Sequence, residues 1–129
     1  VTSFKTLAVR THESERWNMW HADEPPRVSY LQKMVKQLDG PCVAVSDYVR
    51  LVSQQIAPWI PGLIALGTDG FGRSDTRQAL RRFFEVDAEH IAVAALYGLH
   101  QQGKVDARLV SQAVKDLGLP ADELAPWHR

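Results

Sequence analysis

The fold of this chain is decided by the stretch LIALGTDGFGRSDTR, residues 63–77. The apolar run Leu63–Leu66 is typical of a short buried β-strand. Three glycines follow within six positions, and Ser74 is predicted to cap a helix that runs toward Phe84. A strand, a glycine-rich loop and a helix N-terminus are the parts from which α/β proteins build functional edges. The stretch therefore predicts an α/β domain, but it does not by itself predict a function.

A second short strand is predicted at Cys42–Val45, upstream of the glycine loop. The segment between the two strands has the apolar spacing of a helix, capped by Ser46 or Asp47, with one face made of Tyr48, Leu51, Val52 and Ile56. Strand, helix and strand with a connection of this length predict a parallel pair and a right-handed crossover. We expect helices on both faces of the resulting sheet.

Apolar stripes, capping residues and breakers predict the rest of the secondary structure. Val1–Phe4 reads as the end of a strand, which brings the predicted strands to three. The predicted helices are, in chain order, Lys5–Arg10, Thr11–His21, one from Tyr30 to Leu38 capped by Ser29 and ended by a left-handed Gly40, Asp75–Phe84, Ala88–Gln102 capped by Asp87, and a last helix capped by Asp106 and ended by Gly118. Three strands are few for a free-standing sheet with five or six helices.

Composition places the chain among ordinary globular domains. It has 129 residues, of which 45% are hydrophobic and 23% charged, the balance of one folded domain. Fifteen basic residues oppose fifteen acidic ones, so no net charge attracts nucleic acid or an anionic membrane. No apolar run approaches the roughly 20 residues that span a bilayer, and no signal peptide is recognisable.

Two further features bear on origin and compartment. Cys42 is the lone cysteine, which rules out an internal disulfide and favours a reducing compartment. It is interpreted as a small core residue. The chain starts at Val1 rather than methionine, so we expect it to be a piece of something longer.

The glycine loop matches no common nucleotide motif. Its order, Gly67-x-x-Gly70-x-Gly72, is neither the dinucleotide fingerprint nor a Walker loop. Thr68-Asp69-Gly70 begins like the thiamine diphosphate motif, but threonine replaces its first glycine and no asparagine pair follows at the expected distance. Asp69 and Asp75 lack a third partner that would make them an acid–base pair or a metal site.

The remaining polar and aromatic clusters have ordinary structural interpretations. His12 and His21 are nine residues apart and do not match common zinc spacings, so solvated or hydrogen-bonded rings are expected. Trp17 and Trp20 share a helical face and are predicted to pack in a core or an interface. An arginine cluster could hold phosphate, but a solvated helix face is the favoured interpretation of Arg77, Arg81 and Arg82. No serine has the context of a nucleophile.

The chain as a whole resembles the C-terminal domain of the homodimeric bacterial pyruvate dehydrogenases, the decarboxylating first components of the pyruvate dehydrogenase complex. The resemblance covers the string from Leu66 to Arg77, in which Gly67 to Arg77 is specific, and continues through Phe84–Ala88. It extends upstream to Val1–Phe4, Glu15–Met19, Pro26–Val28 and Ser46–Tyr48. More loosely, the chain is similar to the third domain of transketolases.

This resemblance implies a three-layer α/β/α sandwich with a mostly parallel sheet, of which residues 1–129 are the C-terminal part, without the first strand and helix. It implies an enzyme that decarboxylates pyruvate on thiamine diphosphate and magnesium and acetylates a lipoyl group of a dihydrolipoyl acetyltransferase. It also implies a bacterial cytoplasmic homodimer. In the family the cofactor, the metal and the catalytic residues belong to earlier domains, so none is expected in this segment, which would be a structural and assembly domain.

Two other interpretations fit the sequence: the tail of a transketolase-type transferase, and a stand-alone module that binds a phosphorylated ligand with the Gly67–Gly72 loop. The absence of phosphate motifs favours docking instead. We expect the loop to contact other domains or the second subunit through Asp69, Phe71, Arg73, Ser74 and Asp75.

Overall fold

The structure, a computed structural model, describes residues 2–129 and begins with one long helix. Helix α1 spans Phe4–Trp20 and is capped by Ser3, whose hydroxyl accepts a hydrogen bond from the Thr6 amide at 3.1 Å. The prediction of two helices was wrong, because no glycine or proline interrupts this stretch. The strand predicted to end at Phe4 was also wrong for Thr2 to Phe4, and Val1 lies outside the described residues.

Helix α2, Tyr30–Val35, begins as the sequence predicts, at a capping box formed by Ser29 and Gln32. The buried Thr11 of α1 fixes its start, since Thr11 Oγ1 lies 3.0 Å from Ser29 Oγ. The helix ends before Leu38, and the left-handed Gly40 was a wrong prediction, because Gly40 is not among the glycines with positive φ.

Strands β1, Val43–Val45, and β2, Ile64–Leu66, form a parallel pair with Ala44 opposite Ala65. The predicted parallel pairing is confirmed, and each strand is one residue shorter than predicted. Helix α5, Ala88–Gln101, packs on both strands. A side chain at Gly98 would collide with Pro41 and come within 3.3 Å of Ile64, so glycine sets this close approach.

The opposite face of the sheet rests on the main core. Cys42 and Leu63 stand opposite each other one residue before the paired strands, and both pack against this core. Because successive residues of extended chain point to opposite faces, they lie on the side away from the Ile64 contact with α5. The buried centre of the core comprises Ala8, Leu31, Ile56 and Ile60. Helices therefore cover both faces, as expected of a layered α/β fold.

The crossover between the strands is less helical than its apolar spacing predicts. It contains only helix α3, Leu51–Gln54, and a 3₁₀ helix, Ala57–Trp59. Tyr48 and Leu51 are 71% and 69% exposed, so they do not share a buried face with Ile56. No side chain caps α3. The predicted cap, Ser46 or Asp47, was therefore wrong, and the next subsection gives the reason.

Three capped helices complete the chain. They are α4, Arg77–Phe83, then α5, then α6, Ala107–Asp116, which packs against α5. Asp87 and Asp106 cap α5 and α6 as predicted. The predicted cap of α4 was wrong, since Thr76, not Ser74, accepts the Ala79 amide at 3.2 Å. Asp75 binds the Thr76 amide at 2.7 Å, which keeps it in the loop. A 3₁₀ helix, Pro126–His128, ends the chain.

Asp87 gives the fold a predictable dependence on pH. Burial opposes ionisation of its carboxyl, but hydrogen bonds from the backbone and ring of His90 and from Arg82 outweigh burial and lower its pKa from the ordinary 3.8. A group with a lowered folded-state pKa stabilises the fold above its unfolded-state pKa, and this contribution disappears as the pH falls through the folded-state value.

We therefore expect Asp87→Ala to lower the free energy of unfolding by about 1 kcal/mol at neutral pH, with a smaller difference in acid. Urea titrations of both proteins at about pH 7 and about pH 3 measure this change. Asp122→Ala is the control, since Asp122 is exposed and makes no side-chain hydrogen bond among residues 2–129. An Asp87→Ala difference of equal size at both pH values would contradict the prediction.

Candidate functional site

The candidate site is the edge of the sheet where both strands end. The loop after β2 is joined there to the loop after β1. The Thr68 amide donates to the Tyr48 carbonyl at 3.0 Å, and the Thr68 hydroxyl donates to the Asp47 carbonyl at 2.7 Å. Gly67 permits this contact, because a Cβ atom there would lie 2.5 Å from the Tyr48 oxygen and 2.7 Å from the Arg50 nitrogen.

Asp69 forms the second set of contacts between the two loops. Its carboxylate accepts the Arg50 backbone amide at 3.1 Å and forms an ion pair with the Arg50 guanidinium. Because Tyr48 and Arg50 bind the glycine loop through their backbones, they do not open a regular helix. This explains why the crossover helix begins only at Leu51.

The C-terminal tail closes the same junction. The Arg50 guanidinium lies over the Trp127 ring, 4.1 Å from its centre. Gly70 has φ of 103°, and a Cβ atom there would lie 3.0 Å from the Trp127 Cα. The tail therefore packs on this junction through Trp127, whereas Leu124 is 65% exposed. Sequence reasoning gave no role to Arg50, because nothing local predicts a partner 19 residues away.

The other predicted docking residues lie beyond this junction, on the surface. Phe71 is 90% exposed, and Ser74 and Asp75 are exposed as well. The Arg73 guanidinium lies 4.1 Å from the centre of the Phe83 ring. The structure therefore divides the predicted set in two. Asp69 binds within the chain, and the other four residues present side chains outward.

Beside this surface runs an open groove of about 740 Å³ between the glycine loop and α4. We call it the arginine groove, because Arg73, Arg77 and Arg81 line it. Leu80, Phe84 and Val86 also line it, together with Asp47, Thr68, Gly70, Gly72 and Asp75. A wider depression of about 1140 Å³ adjoins it between the end of β1 and helices α4 and α5.

The three arginines of α4 are used differently. Arg77 and Arg81 are exposed, as the solvated-face interpretation predicts. Arg82 instead joins α4 to other elements, donating to the Gly118 carbonyl at 2.6 Å and pairing with Asp87 at 3.3 Å. The interpretation of Arg82 as a solvated residue was wrong.

Two amides at the start of the glycine loop are already hydrogen-bonded within the chain. The Thr68 and Asp69 amides already donate, to the Tyr48 and Gly67 carbonyls. Within residues 2–129, no cluster of three or more histidine, cysteine or acidic side chains could hold a metal ion.

His12 and Trp17 of α1, and His21 just after it, make packing contacts. The His21 ring nitrogen lies 2.9 Å from the Trp17 carbonyl, and its ring stacks on Trp17 at 4.3 Å. His12 meets the Trp59 ring edge-on at 4.6 Å. Trp17 is packed as predicted. Trp20 is 66% exposed, so it does not lie in a core of the described residues, and its place in an interface stays a prediction.

Burial raises the pKa of the Cys42 thiol, consistent with its place beside the core.

None of the helices described between residues 2 and 129 is both long enough and apolar enough to cross a membrane.

Comparison with protein families identifies the class of domain. The model of the transketolase-like C-terminal domain matches residues 2–87, which include both strands, the glycine loop and α4. This is two thirds of the chain, and the chain belongs to this family.

Individual relatives narrow the comparison to one kind of enzyme. The chain is 44% identical, over 98% of its length, to the pyruvate dehydrogenase E1 component of Escherichia coli K12. It is 44% identical, over 96% of its length, to that of Cupriavidus necator, and 44% identical, over 89%, to that of Mycolicibacterium smegmatis. The chain spans only 12–14% of the length of these relatives.

Proposed function

We propose that this chain is the C-terminal assembly domain of a pyruvate dehydrogenase E1 subunit. The observation that carries the proposal is 44% identity across nearly the whole chain to proteins of that name. The complete enzyme would decarboxylate pyruvate on thiamine diphosphate and magnesium and acetylate the lipoyl group of a dihydrolipoyl acetyltransferase. It would act as a homodimer in the bacterial cytoplasm.

In this proposal the chemistry belongs to the rest of the subunit. The Thr68 and Asp69 amides support this assignment, because both are bonded to neighbouring carbonyls and are not free to bind a phosphate. The segment would stabilise the subunit and position its neighbours.

The proposal is tested with the full-length enzyme whose C-terminus is this segment. Thiamine diphosphate, magnesium and pyruvate should support decarboxylation and acetylation of a lipoyl domain. Exchange of two-carbon units between sugar phosphates would instead identify a transketolase-type transferase. If the full-length enzyme catalysed that exchange and did not turn over pyruvate, the proposal would be overturned.

We further propose that Phe71, Arg73, Ser74 and Asp75 form a docking surface toward other domains or the second subunit, held in place by Asp69. An aromatic ring that is 90% exposed beside an arginine supports this assignment, because aromatic and arginine side chains are enriched at interfaces. The loop that carries them is held on its N-terminal side, through the close contact at Gly67 and through the Arg50–Asp69 pair.

Phe71→Ser tests this surface in two settings. In the 129-residue chain it should change the free energy of unfolding by less than about 0.5 kcal/mol, because the side chain is exposed. In the full-length enzyme it should weaken docking by about 1–2 kcal/mol, seen as a lower melting temperature or dissociation of dimers.

The exposed Leu109 of α6 gives the matched control, and Leu109→Ser should have similar small effects in both settings. An enzyme that stays fully dimeric with unchanged melting, yet loses pyruvate turnover on Phe71→Ser, would make the loop catalytic and the assignment wrong.

A further inference from the structure

The arginine groove holds cations that the fold itself leaves uncompensated. In the part of the chain that the structure describes, no carboxylate lies within 4.0 Å of the guanidinium groups of Arg73, Arg77 or Arg81. Asp47 and Asp75 also line the groove, but Asp75 is bonded to the Thr76 amide. Arg82, next in sequence, is by contrast paired with Asp87.

The spacing of these arginines is unfavourable in the segment alone. Arg77 and Arg81 are one turn apart on α4, and like charges four residues apart destabilise a helix. Arg73 adds a third positive charge from the glycine loop, held against the Phe83 ring. The positive charges of Arg77 and Arg81, which line the groove with Arg73, would be stabilised by an anionic occupant.

The position and lining of the groove suit a protein segment. The groove lies outside the carboxyl ends of two parallel strands, where α/β proteins commonly bind partners. Apolar residues, including Leu80 and the buried Phe84, also line the groove. Arginine forms bidentate hydrogen bonds with carboxylates, and the apolar residues can receive the stems of aspartate or glutamate.

Affinity decides between a tethered and a free occupant. Exposed ion pairs contribute at most about 1 kcal/mol each, so a free acidic peptide held by three of them alone would have a Kd of at least several millimolar. A segment of the same polypeptide reaches millimolar effective concentration without any additional contact. Relatives of this chain are about seven times as long, so such a subunit has ample length outside these residues.

We infer that the arginine groove binds an acidic segment from the remainder of its own enzyme subunit. This inference rests on the proposed function and deepens it by naming the chemistry of one docking contact. Aspartate or glutamate side chains of that segment pair with Arg77 and Arg81, while Arg73 closes the groove at the glycine loop.

Zero-length crosslinking of the full-length enzyme tests the inference. The double variant Arg77→Lys, Arg81→Lys places amines in the groove, and a carbodiimide then joins each amine to any carboxylate that it contacts. Mass spectrometry should find the new amines linked to aspartate or glutamate outside the 129 residues. Arg108→Lys, on the exposed side of α6 and outside the groove, measures the background for a surface amine.

Crosslinking is repeated on dimers that combine one isotopically light subunit with one heavy subunit. The masses of the linked peptides then distinguish contacts within a subunit from contacts between subunits. Links between subunits, or links confined to Asp47 and Asp75, would overturn the inference. Protection of α4 amides by millimolar inorganic pyrophosphate without any such crosslink would identify a small-anion site and would also overturn it. Pyruvate decarboxylation in the same preparation tests the proposed function separately.

A charge-reversal variant gives a second readout. In the full-length enzyme, Arg77→Glu with Arg81→Glu should release the segment and accelerate hydrogen exchange at the amides of α4 by at least about tenfold. Raising the salt concentration should produce part of the same increase in the wild type. Exchange that is unchanged by both treatments would contradict an ionic contact.

Discussion

Gly67→Ala should be among the most destabilising single substitutions in this chain, lowering the free energy of unfolding by about 3 kcal/mol. The added Cβ would lie 2.5 Å from the Tyr48 carbonyl oxygen and 2.7 Å from the Arg50 nitrogen. Both atoms belong to backbone, so the collision is not relieved by rotation of a side chain. The loops after β1 and β2 must separate, and the hydrogen bond from Thr68 to Tyr48 weakens.

Gly72→Ala is the matched control in the same loop. Nothing lies within 4 Å of its added Cβ, and its φ is not in the left-handed range. It should change stability by no more than about 0.5 kcal/mol, or raise it slightly by restricting the unfolded chain. Urea unfolding followed by circular dichroism measures both variants. Equal stabilities for Gly67→Ala and the wild type would mean that the two loops do not meet closely in solution.

Local sequence predicted the elements whose signals are local. The capping box at Ser29, the caps at Asp87 and Asp106 and the parallel strands all depend on neighbouring residues or on a short apolar period. The fold class followed from the order of these elements and from the family resemblance, and membership of the family supports it.

The errors arose where distant parts of the chain compete for the same backbone groups. The helix predicted after β1 is shortened because the Tyr48 carbonyl and the Arg50 amide bind the glycine loop about 19 residues later. The helix after that loop begins at Arg77, because Thr76 rather than Ser74 meets a free amide. Apolar spacing contains no information about such pairings.

The candidate site was predicted only in part, because some of its residues come from distant parts of the chain. Its glycine loop is visible in the sequence, and so are Asp69 and Phe71. The partners Arg50 and Trp127 are not, because they are brought to the loop by the crossover and by the C-terminal tail. Asp69 consequently changes role, from an expected outward contact to an internal tie that supports the exposed residues beyond it.

The internal role of Asp69 gives the second large effect. Asp69→Ala should lower the free energy of unfolding by about 2 kcal/mol, since it removes the acceptor of the Arg50 backbone amide and strands the Arg50 guanidinium over Trp127. The Asp69 side chain is only 20% exposed, so water compensates the loss poorly. Urea unfolding of the 129-residue chain measures the change.

Asp47→Ala is the control for Asp69→Ala, because Asp47 lies in the neighbouring loop and touches Thr68 only through its backbone carbonyl. It should change the free energy of unfolding by less than about 0.5 kcal/mol. Asp69→Asn keeps an acceptor for the Arg50 amide but removes the charge, and it should lie between the two alanine variants. If Asp69→Ala and Asp47→Ala were equally stable, Asp69 would not tie the loop, and its carboxylate would be free for an external contact.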